Sequence, residues 1–254
     1  MLMIGSDPEL FLEDANGKVI SAIGKIGGTK KRPKPVKALG KGFAVQEDNV
    51  LLEYNTPAAK TRNAWESYHR DMLTYLREMV GGIGLALSNK ASHSMDADQL
   101  QDKRAHIFGC DPDFDAWKLQ WNKAPKCTDP NLRSAGGHIH LAYENPNYKD
   151  SVKIARLCDL FIGAPLKVVD PDKRRAELYG RPGAIRFKPY GLEYRTPSNY
   201  WTLNNDNINR VYDAAQYALA MLDQWERFEG VAGNARAYLA GEHATFVPVT
   251  FQYA

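Results

Sequence analysis

Polar side chains recur two residues apart inside short apolar segments of this chain. The segment SAGGHIHLAY, residues 134–143, places His138 and His140 at this spacing, with Ile139 and Leu141 as their neighbours. Residues two apart on a β-strand project from the same face. Both imidazoles should therefore point towards one surface while Ile139 and Leu141 point into a core, which predicts a strand with a functional polar face.

Three further segments, GSDPELF, LLEYNTP and GLEYRTP, show the same spacing of polar side chains. A buried carboxylate without a partner is costly, and several close together are costlier unless cations neutralise them. If these strands are neighbours in one sheet, their acids and a histidine gather on one face. The pattern then predicts a divalent metal site formed by Asp7, Glu9, Glu53, His138 and Glu193.

The chemistry of this ligand set indicates which metal and which reaction to expect. Carboxylate oxygens with one or two imidazoles suit Mg²⁺ or Mn²⁺, whereas zinc sites contain more His or Cys. Basic side chains suited to phosphate lie close to Glu193 in sequence, namely Arg181, Arg186, Lys188 and Arg195. Metal-holding acids beside arginines predict ATP-dependent phosphoryl transfer. Neither a P-loop nor the kinase glycine loop occurs, so the nucleotide must be held another way.

Apolar periodicity and turn residues predict an α+β protein with antiparallel strand pairs. Helices are expected from an N-cap at Asn63 through Met79, over 151–162, from Val211 to Trp225, and over 232–240. Strands are expected over 2–4, 9–12, 18–23, 43–46, 50–55, 137–143 and 184–195, with turns at 14–17 and 47–49. We expect a single domain over 1–254, in which 88–133 forms an irregular insertion.

Composition excludes some classes of protein. The 254 residues are 44% hydrophobic with a net charge of +3, enough for a large core and too little charge to indicate a nucleic-acid binder. No run approaches the roughly 18 apolar residues of a membrane helix, and no signal peptide is evident, so we expect a soluble cytoplasmic protein. Three cysteines without CxxC spacing are expected to be reduced thiols.

Residues 25–41 carry seven basic side chains and no acid. A solvated surface loop, broken by Pro and Gly, is the favoured interpretation. The alternative is a flap that presents Lys30, Lys31 and Arg32 to phosphate groups.

The order of motifs resembles a known family. GSDPELF, VQEDNVLLEYNTP, GGHIHL and YGRPGAIRFKPYGLEYRTPSNYW follow one another over roughly residues 4–201. This order is similar to the carboxylate-amine ligases of the glutamate-cysteine ligase and glutamine synthetase superfamily, and most similar to the phage-type COOH-NH2 ligases. The resemblance implies a curved, mainly antiparallel sheet with helices on its outer face, like the glutamine synthetase catalytic domain. Its inner face would bind ATP and two or three Mg²⁺ ions.

The resemblance also implies roles for individual residues. Asp7, where the family more often has Glu, would pair with Glu9 in metal binding, and Glu53, His138 and Glu193 would complete the metal sites. His140 would lie near the nucleotide, while Arg186 and Arg195 would contact phosphate and the transferred group. Either Gln46 or Asp48 would face Glu53. Candidates for orienting the substrate are Tyr54, Asn55 and Asn199.

The implied reaction joins a carboxylate to an amine of an amino acid or peptide through an acyl phosphate. Two other functions use the same features. A di-metal hydrolase would share the acids and His138 but has less use for Arg186 and Arg195. A non-catalytic phage protein would bind nucleic acid through the basic residues of 25–41.

Overall fold

The computed structural model describes residues 2–107, 112–123 and 128–249, and the chain is α+β with antiparallel strand pairs. The strands are β1 Met3–Ser6, β2 Glu9–Leu10, β3 Leu12–Glu13, β4 Val19–Ile20, β5 Lys34–Pro35, β6 Ala44–Asp48, β7 Leu51–Asn55, β8 Ala86–Leu87, β9 Ser92–Ser94, β10 Phe114–Asp115, β11 Gln120–Trp121, β12 Leu132–Ser134, β13 Ile139–Ala142, β14 Ala184–Lys188 and β15 Gly191–Tyr194. The helices are α1 Arg62–Gly81, α2 Tyr148–Cys158, α3 Ala164–Val169, α4 Asn205–Ala220 and α5 Trp225–Leu239.

Two antiparallel sheets carry the predicted polar residues. The main sheet has the strand order β1-β13-β15-β14-β10-β11, and the second sheet has the order β2-β7-β6-β5. Only Asp7 and Pro8 separate the end of β1 from the start of β2, so the chain passes directly from one sheet to the other. Backbone hydrogen bonds from Tyr54 to Pro8 and from Thr56 to Ser6 join the sheets at this point. The predicted single sheet is thus two adjoining sheets.

The helices cover the apolar face of the main sheet. Ile139 and Leu141 are fully buried, as predicted, and belong to one core with residues of α1 and α4. Trp65 of α1 stacks on Trp201 with ring centroids 5.5 Å apart. A π-helical turn, Asp159–Gly163, joins α2 to α3 and is also buried in this core.

The predicted elements are present, but several boundaries were wrong. Helix α1 is capped by Thr61, whose hydroxyl accepts from the amide of Ala64, rather than by Asn63. The helix expected from Val211 to Trp225 ends at Ala220, and Trp225 begins a separate helix that includes 232–239. Apolar periodicity continues across this break because both helices pack on the same core.

Two strand predictions also need correction. Residues 184–195 form the hairpin β14–β15 rather than one strand. Residues 47 and 48, expected in a turn, extend β6, and the turn is centred on Asn49 and Val50. Asn49 takes up the left-handed backbone there, with φ of 54°. This shift moves Asp48 onto the second sheet.

The segment 88–133 contains more regular structure than expected. Strand β9 pairs with β12, and β10 adds to the main sheet beside β14. Part of the motif FGCDPDFDAW therefore belongs to the main sheet, although Cys110 and Cys127 lie outside the described residues. Cys158 is a free, buried thiol, as predicted.

The basic segment forms a flap, residues 24–42, at the edge of the second sheet. Strand β5 pairs with β6, and Thr29 and Arg32 close a tight turn by reciprocal backbone hydrogen bonds. All seven basic side chains are exposed, which both interpretations of the segment allow. Within the described part of the chain, no helix combines the length and apolarity needed to cross a membrane.

Candidate active site

A row of four residues crosses the main sheet. Strand register places Gly5 opposite His140, His140 opposite Glu193, and Glu193 opposite Arg186. Side chains at matched positions of paired strands share a face and lie close together. Strand pairing alone therefore places His140, Glu193 and Arg186 side by side on one face of the sheet.

Asp7, His140 and Glu193 form the first acidic group, here called the Asp7 group. One possible ligand atom from each lies within 4.8 Å of the others. Oδ1 of Asp7 lies 3.1 Å from Nε2 of His140, yet neither atom makes a hydrogen bond to a described residue. Burial raises the pKa of Asp7, but His140 and His138 outweigh it and lower the pKa below its usual range. Burial lowers the pKa of His140, but the charge of Asp7 outweighs it and raises the pKa.

Basic side chains converge on Glu193, which is only 1% exposed. Arg195 forms a close ion pair with it, Lys188 Nζ lies 2.7 Å from Oε2, and Arg186 Nη1 lies 3.5 Å from Oε1. Burial raises the pKa of Glu193, but Arg195 outweighs it and lowers the pKa to about 2. Glu193 is therefore ionised at neutral pH and holds three cationic side chains at the site.

His138 lies between the Asp7 group and Arg195. Its Nδ1 atom is 3.4 Å from Oδ1 of Asp7 and 3.4 Å from Nη1 of Arg195. Burial and the nearby Arg195 lower the pKa of His138 to about 4, so the imidazole is neutral at pH 7. Both histidines thus face the site, and His140, predicted to lie near nucleotide, also contacts a predicted metal ligand.

A second acidic group, the Glu9 group, consists of Glu9, Asp48 and Glu53, with ligand atoms within 4.8 Å of one another. Glu9 faces Glu53 across β2 and β7, and Glu53 faces Gln46 across β7 and β6. Burial and the charge of Asp48 raise the pKa of Glu9 to about 7. Burial and the charges of Asp7, Glu9 and Asp48 raise the pKa of Glu53 well above its usual value.

Both groups fit divalent cations on the evidence of their own atoms. The Glu9 group gathers three acids, and burial raises the pKa of Asp48 although the nearby charges of Lys30 and Arg195 oppose this shift. In the Asp7 group a carboxylate oxygen and an imidazole nitrogen face each other at 3.1 Å as an ion pair, without a well-aligned hydrogen bond to any described residue. Oxygen ligands with one imidazole suit Mg²⁺ or Mn²⁺.

The two glycines before the histidines are part of the site, which their sequence position did not reveal. The amide of Gly136 donates to Oε2 of Glu9 at 2.6 Å. A Cβ atom on Gly136 would lie 2.4 Å from Nε2 of His138, and one on Gly137 would lie 2.2 Å from the carbonyl of Ser198. Only glycine lets the chain pass between the histidine and the strand that carries Glu9.

A cleft beside the Glu9 group contains arginines that sequence reasoning missed. Arg133, Arg175 and Arg195 line it together with Glu9 and Asp48. Arg175 is buried and donates to the carbonyls of three residues, Ala135, Thr196 and Arg195. Arg133, in β12, and Arg175, in a short 3-10 helix, gave no sequence signal because neither belongs to a strand-spaced polar pair.

Asp113, from the motif FGCDPDFDAW, also approaches the site. Its Oδ2 atom lies 4.0 Å from Nε of Arg195, and its Oδ1 accepts from Asn122. Part of this motif, whose role the sequence did not reveal, therefore lies next to Arg195, just before β10.

The remaining predicted residues lie at different distances from the two groups. Gln46 is buried beside Glu53, and Asn55 lies at the end of the same strand. Arg181 does not join these groups: its guanidinium donates to the carbonyl of Lys123. Asn199 is fully buried behind the site, where its amide donates to the carbonyl of Lys90.

Comparison with known proteins gives one family match. The model of the family phage phiEco32-like COOH.NH2 ligase-type 2 matches residues 130–253, which include both histidines, Glu193 and the three cations around it. This match covers just under half of the chain, and the name of the family indicates a carboxylate-amine ligase. It supports the resemblance to the phage-type COOH-NH2 ligases seen in the motifs. A search of curated proteins gives no match.

Proposed function

We propose that the protein is an ATP-dependent carboxylate-amine ligase that forms an amide through an acyl phosphate. One observation carries the proposal. Two buried acidic groups lie at the junction of two sheets, and Arg186, Lys188 and Arg195 converge on the acid of one of them. Acids that bind divalent ions beside guanidinium groups are what phosphoryl transfer to a carboxylate requires.

Each part of the site has a role in this proposal. The Asp7 and Glu9 groups would hold Mg²⁺ or Mn²⁺, which supply charge neutralisation for the phosphates of ATP. Arg195 and Arg186 orient the transferred phosphoryl group and offset the charge that develops on it. His138, neutral at pH 7, presents a nitrogen lone pair to the same space. Burial of the site limits the access of water to the acyl phosphate.

The carboxylate substrate would enter through the cleft beside the Glu9 group. Arg133, Arg175 and Arg195 line this cleft, and guanidinium groups suit carboxylates. Glu9 and Asp48 also line the cleft, so the ion that they would hold would lie beside the bound carboxylate. An amino acid or a short peptide carries such a carboxylate. We also propose that the two sheets correspond to the curved catalytic sheet of the wider glutamine synthetase superfamily.

The test is product formation from defined pools. The full chain is incubated with ATP, Mg²⁺ and mixtures of amino acids and short peptides, and phosphate release is measured together with new amide masses. We expect the wild type to give both signals. We expect Glu193→Gln and Glu9→Gln to give neither signal, although their circular dichroism spectra should match that of the wild type. Phosphate release without any condensed product would favour a hydrolase instead. Normal turnover by Glu9→Gln would remove the Glu9 group from the reaction.

A further inference from the structure

The basic flap, residues 24–42, concentrates positive charge at the edge of the second sheet. It contains no acid, and its exposed basic side chains are Lys25, Lys30, Lys31, Arg32, Lys34, Lys37 and Lys41. The whole chain has a net charge of only +3, so the rest of the molecule is net acidic. Positive charge gathered on one surface in this way attracts a polyanion.

The backbone of the flap is held firmly against the protein. Ile26 and Val36 of the flap, and Phe43 directly after it, belong to the core and are at most 7% exposed. The flap also packs closely on β6, since a Cβ atom on Gly28 would lie 2.5 Å from the carbonyl oxygen of Val45. The basic side chains therefore stand on a pre-organised support, which lowers the entropic cost of binding a partner.

The protein itself leaves most of this charge without a carboxylate partner. Within the described ranges, no ion pair involves Lys25, Lys31, Arg32, Lys37 or Lys41. Like charges gathered on one short segment repel one another. An anionic partner that neutralises them therefore removes this repulsion when it binds.

The flap adjoins the cleft in which the carboxylate substrate is proposed to bind. Strand β5 of the flap pairs with β6, which also carries Asp48. Asp48 lines the cleft together with Arg133 and Arg175. Lys30 lies close enough to Asp48 for its charge to oppose the rise in the pKa of Asp48 that burial causes. A polymer bound along the flap would therefore reach the cleft.

The composition of the flap favours an acidic polypeptide over a nucleic acid. Six of its seven basic residues are lysines, whereas arginine is the side chain best suited to recognising phosphates and bases. The flap sequence has no aromatic residue on which a base could stack. A nucleic acid also lacks the carboxylate that the proposed reaction consumes, whereas an acidic polypeptide carries several.

Two prolines limit how the partner is held. Strand β5 is the outer strand of the second sheet, and an outer strand can pair with a strand of another chain. Pro33 and Pro35 have no amide hydrogen to donate to such a strand. Contacts with the basic side chains, rather than strand addition, would therefore hold the partner.

We propose that the basic flap is a docking surface for an acidic polypeptide, one of whose carboxyl groups is the substrate in the adjoining cleft. The role of this polypeptide as a substrate rests on the proposed function, whereas docking itself does not. The proposal narrows the carboxylate substrate to a residue of an acidic polypeptide, with the flap holding the neighbouring acids.

Fluorescence anisotropy with the full chain, in the absence of ATP, tests docking. The labelled ligands are a peptide of alternating Glu and Gly, the same peptide with Gln in place of Glu, and an oligothymidylate. We expect the Glu peptide to bind, and to bind more weakly as the salt concentration rises. We expect no binding of the Gln peptide, because it carries no side-chain charge.

Charge reversal on the flap should weaken this binding. We expect Lys31→Glu/Arg32→Glu to lower the affinity for the Glu peptide at least about tenfold. The matched control, Lys149→Glu/Arg210→Glu, changes the net charge equally at exposed positions of α2 and α4 and should bind like the wild type.

A second flap variant, Lys37→Glu/Lys41→Glu, should also lose affinity and serves if the first variant does not fold. Wild-type affinity in the folded flap variants, or an equal loss in the control, would overturn the docking surface. Tighter binding of the oligothymidylate than of the Glu peptide would overturn the choice of partner and assign the flap to nucleic acid.

Steady-state kinetics with ATP, Mg²⁺ and the Glu peptide tests the role in the reaction. We expect the flap variants to raise KM for the peptide with little change in kcat, because the flap contributes binding alone. Turnover of free amino acids but not of the Glu peptide would overturn the peptide as substrate. No turnover of any carboxylate, with peptide binding that still depends on the flap, would instead overturn the ligase function and leave the docking surface standing.

Discussion

Glu9 and Glu53 lie directly opposite each other on β2 and β7, and both side chains are buried. Like charges at matched positions of paired strands destabilise a sheet, and Asp48 adds a third acid to the same group. The fold therefore retains an arrangement that lowers its own stability, as functional sites commonly do.

Glu53→Gln should separate stability from ion binding. Replacing a buried ionisable carboxyl, whose pKa is raised by burial and by its acidic neighbours, should raise the free energy of unfolding of the metal-free protein by about 1–2 kcal/mol. If Mg²⁺ binds here as proposed, it should raise the melting temperature of the wild type, and the variant should lose this increase, since an amide oxygen holds Mg²⁺ less well. Thermal denaturation with EDTA and with Mg²⁺ measures both effects. The exposed Glu78→Gln is the control, and an unchanged response to Mg²⁺ in Glu53→Gln would contradict this prediction.

Arg195→Lys should impair catalysis with little effect on folding. Arg195 pairs with Glu193 and lies 3.4 Å from His138, and one ammonium group cannot replace both contacts. We expect turnover to fall about 100-fold, as for other losses of transition-state contacts. Steady-state phosphate release measures it. The control is Arg62→Lys, which alters an ion pair with Asp213 on the surface and should retain full turnover. Full turnover by Arg195→Lys would exclude a catalytic role for Arg195.

His69 should make the stability of the fold depend on pH. It is fully buried and hydrogen-bonded to Ser6 and Tyr54, and burial lowers its pKa to about 3. The unfolded chain binds a proton below pH 6.5 that the folded chain does not, so this group should remove about 1.4 kcal/mol of stability per pH unit between 6.5 and 3.

Urea denaturation at pH 7.5, 6.0 and 5.0 tests this linkage. His69→Gln should be less stable than the wild type at pH 7.5 and should lose less stability as the pH falls. The exposed His243→Gln should keep the wild-type pH dependence. An identical slope in His69→Gln would show that acid sensitivity arises elsewhere.

Alanine should be harmful at Gly136, where it should reduce turnover, and favourable at Gly230, where it should increase stability. A Cβ on Gly136 would lie 2.4 Å from Nε2 of His138, whereas one on Gly230, inside helix α5, meets no atom within 4 Å. We expect the first to displace His138 and reduce turnover, and the second to stabilise the protein by up to about 1 kcal/mol. Kinetic assays and thermal melts measure the pair. Full activity in Gly136→Ala would show that His138 tolerates displacement.

Glu47→Gln should loosen the basic flap. The Glu47 carboxylate accepts from the amides of Ile26 at 3.1 Å and Gly27 at 2.8 Å, and it pairs with Arg104. If the substitution weakens the attachment of the flap by about 1 kcal/mol, the fraction of molecules with the flap detached should rise about fivefold. Tryptic cleavage within 25–41 should accelerate accordingly, as followed by mass spectrometry. Glu78→Gln is again the control, and equal cleavage rates would argue against this anchor.

The spacing of polar residues predicted much of the site because side-chain alternation on a strand is strict. Residues two apart, such as His138 and His140, face one surface, and their neighbours Ile139 and Leu141 are fully buried. The same rule correctly placed Glu193 and Arg195 on one face. It needs no knowledge of the tertiary fold, since it depends on backbone geometry alone.

The division of the acids into two groups could not be predicted, because it depends on which strands pair. Asp48 joins Glu9 and Glu53 only because β6 runs two residues further than its turn-like sequence suggests. Arg133 and Arg175 reach the cleft from separate parts of the chain, and Arg181, although close to Glu193 in sequence, bonds Lys123 instead. Such placements follow from long-range contacts that local patterns do not encode.

The passage from the main sheet to the second sheet has a further consequence. Asp7 serves one acidic group and Glu9 the other, with Pro8 alone between them. Two peptide units, spanning about 7 Å when extended, fix the separation of these backbone positions covalently. The two acidic groups are thus tethered by a link too short to let the backbones of Asp7 and Glu9 move further apart than this distance.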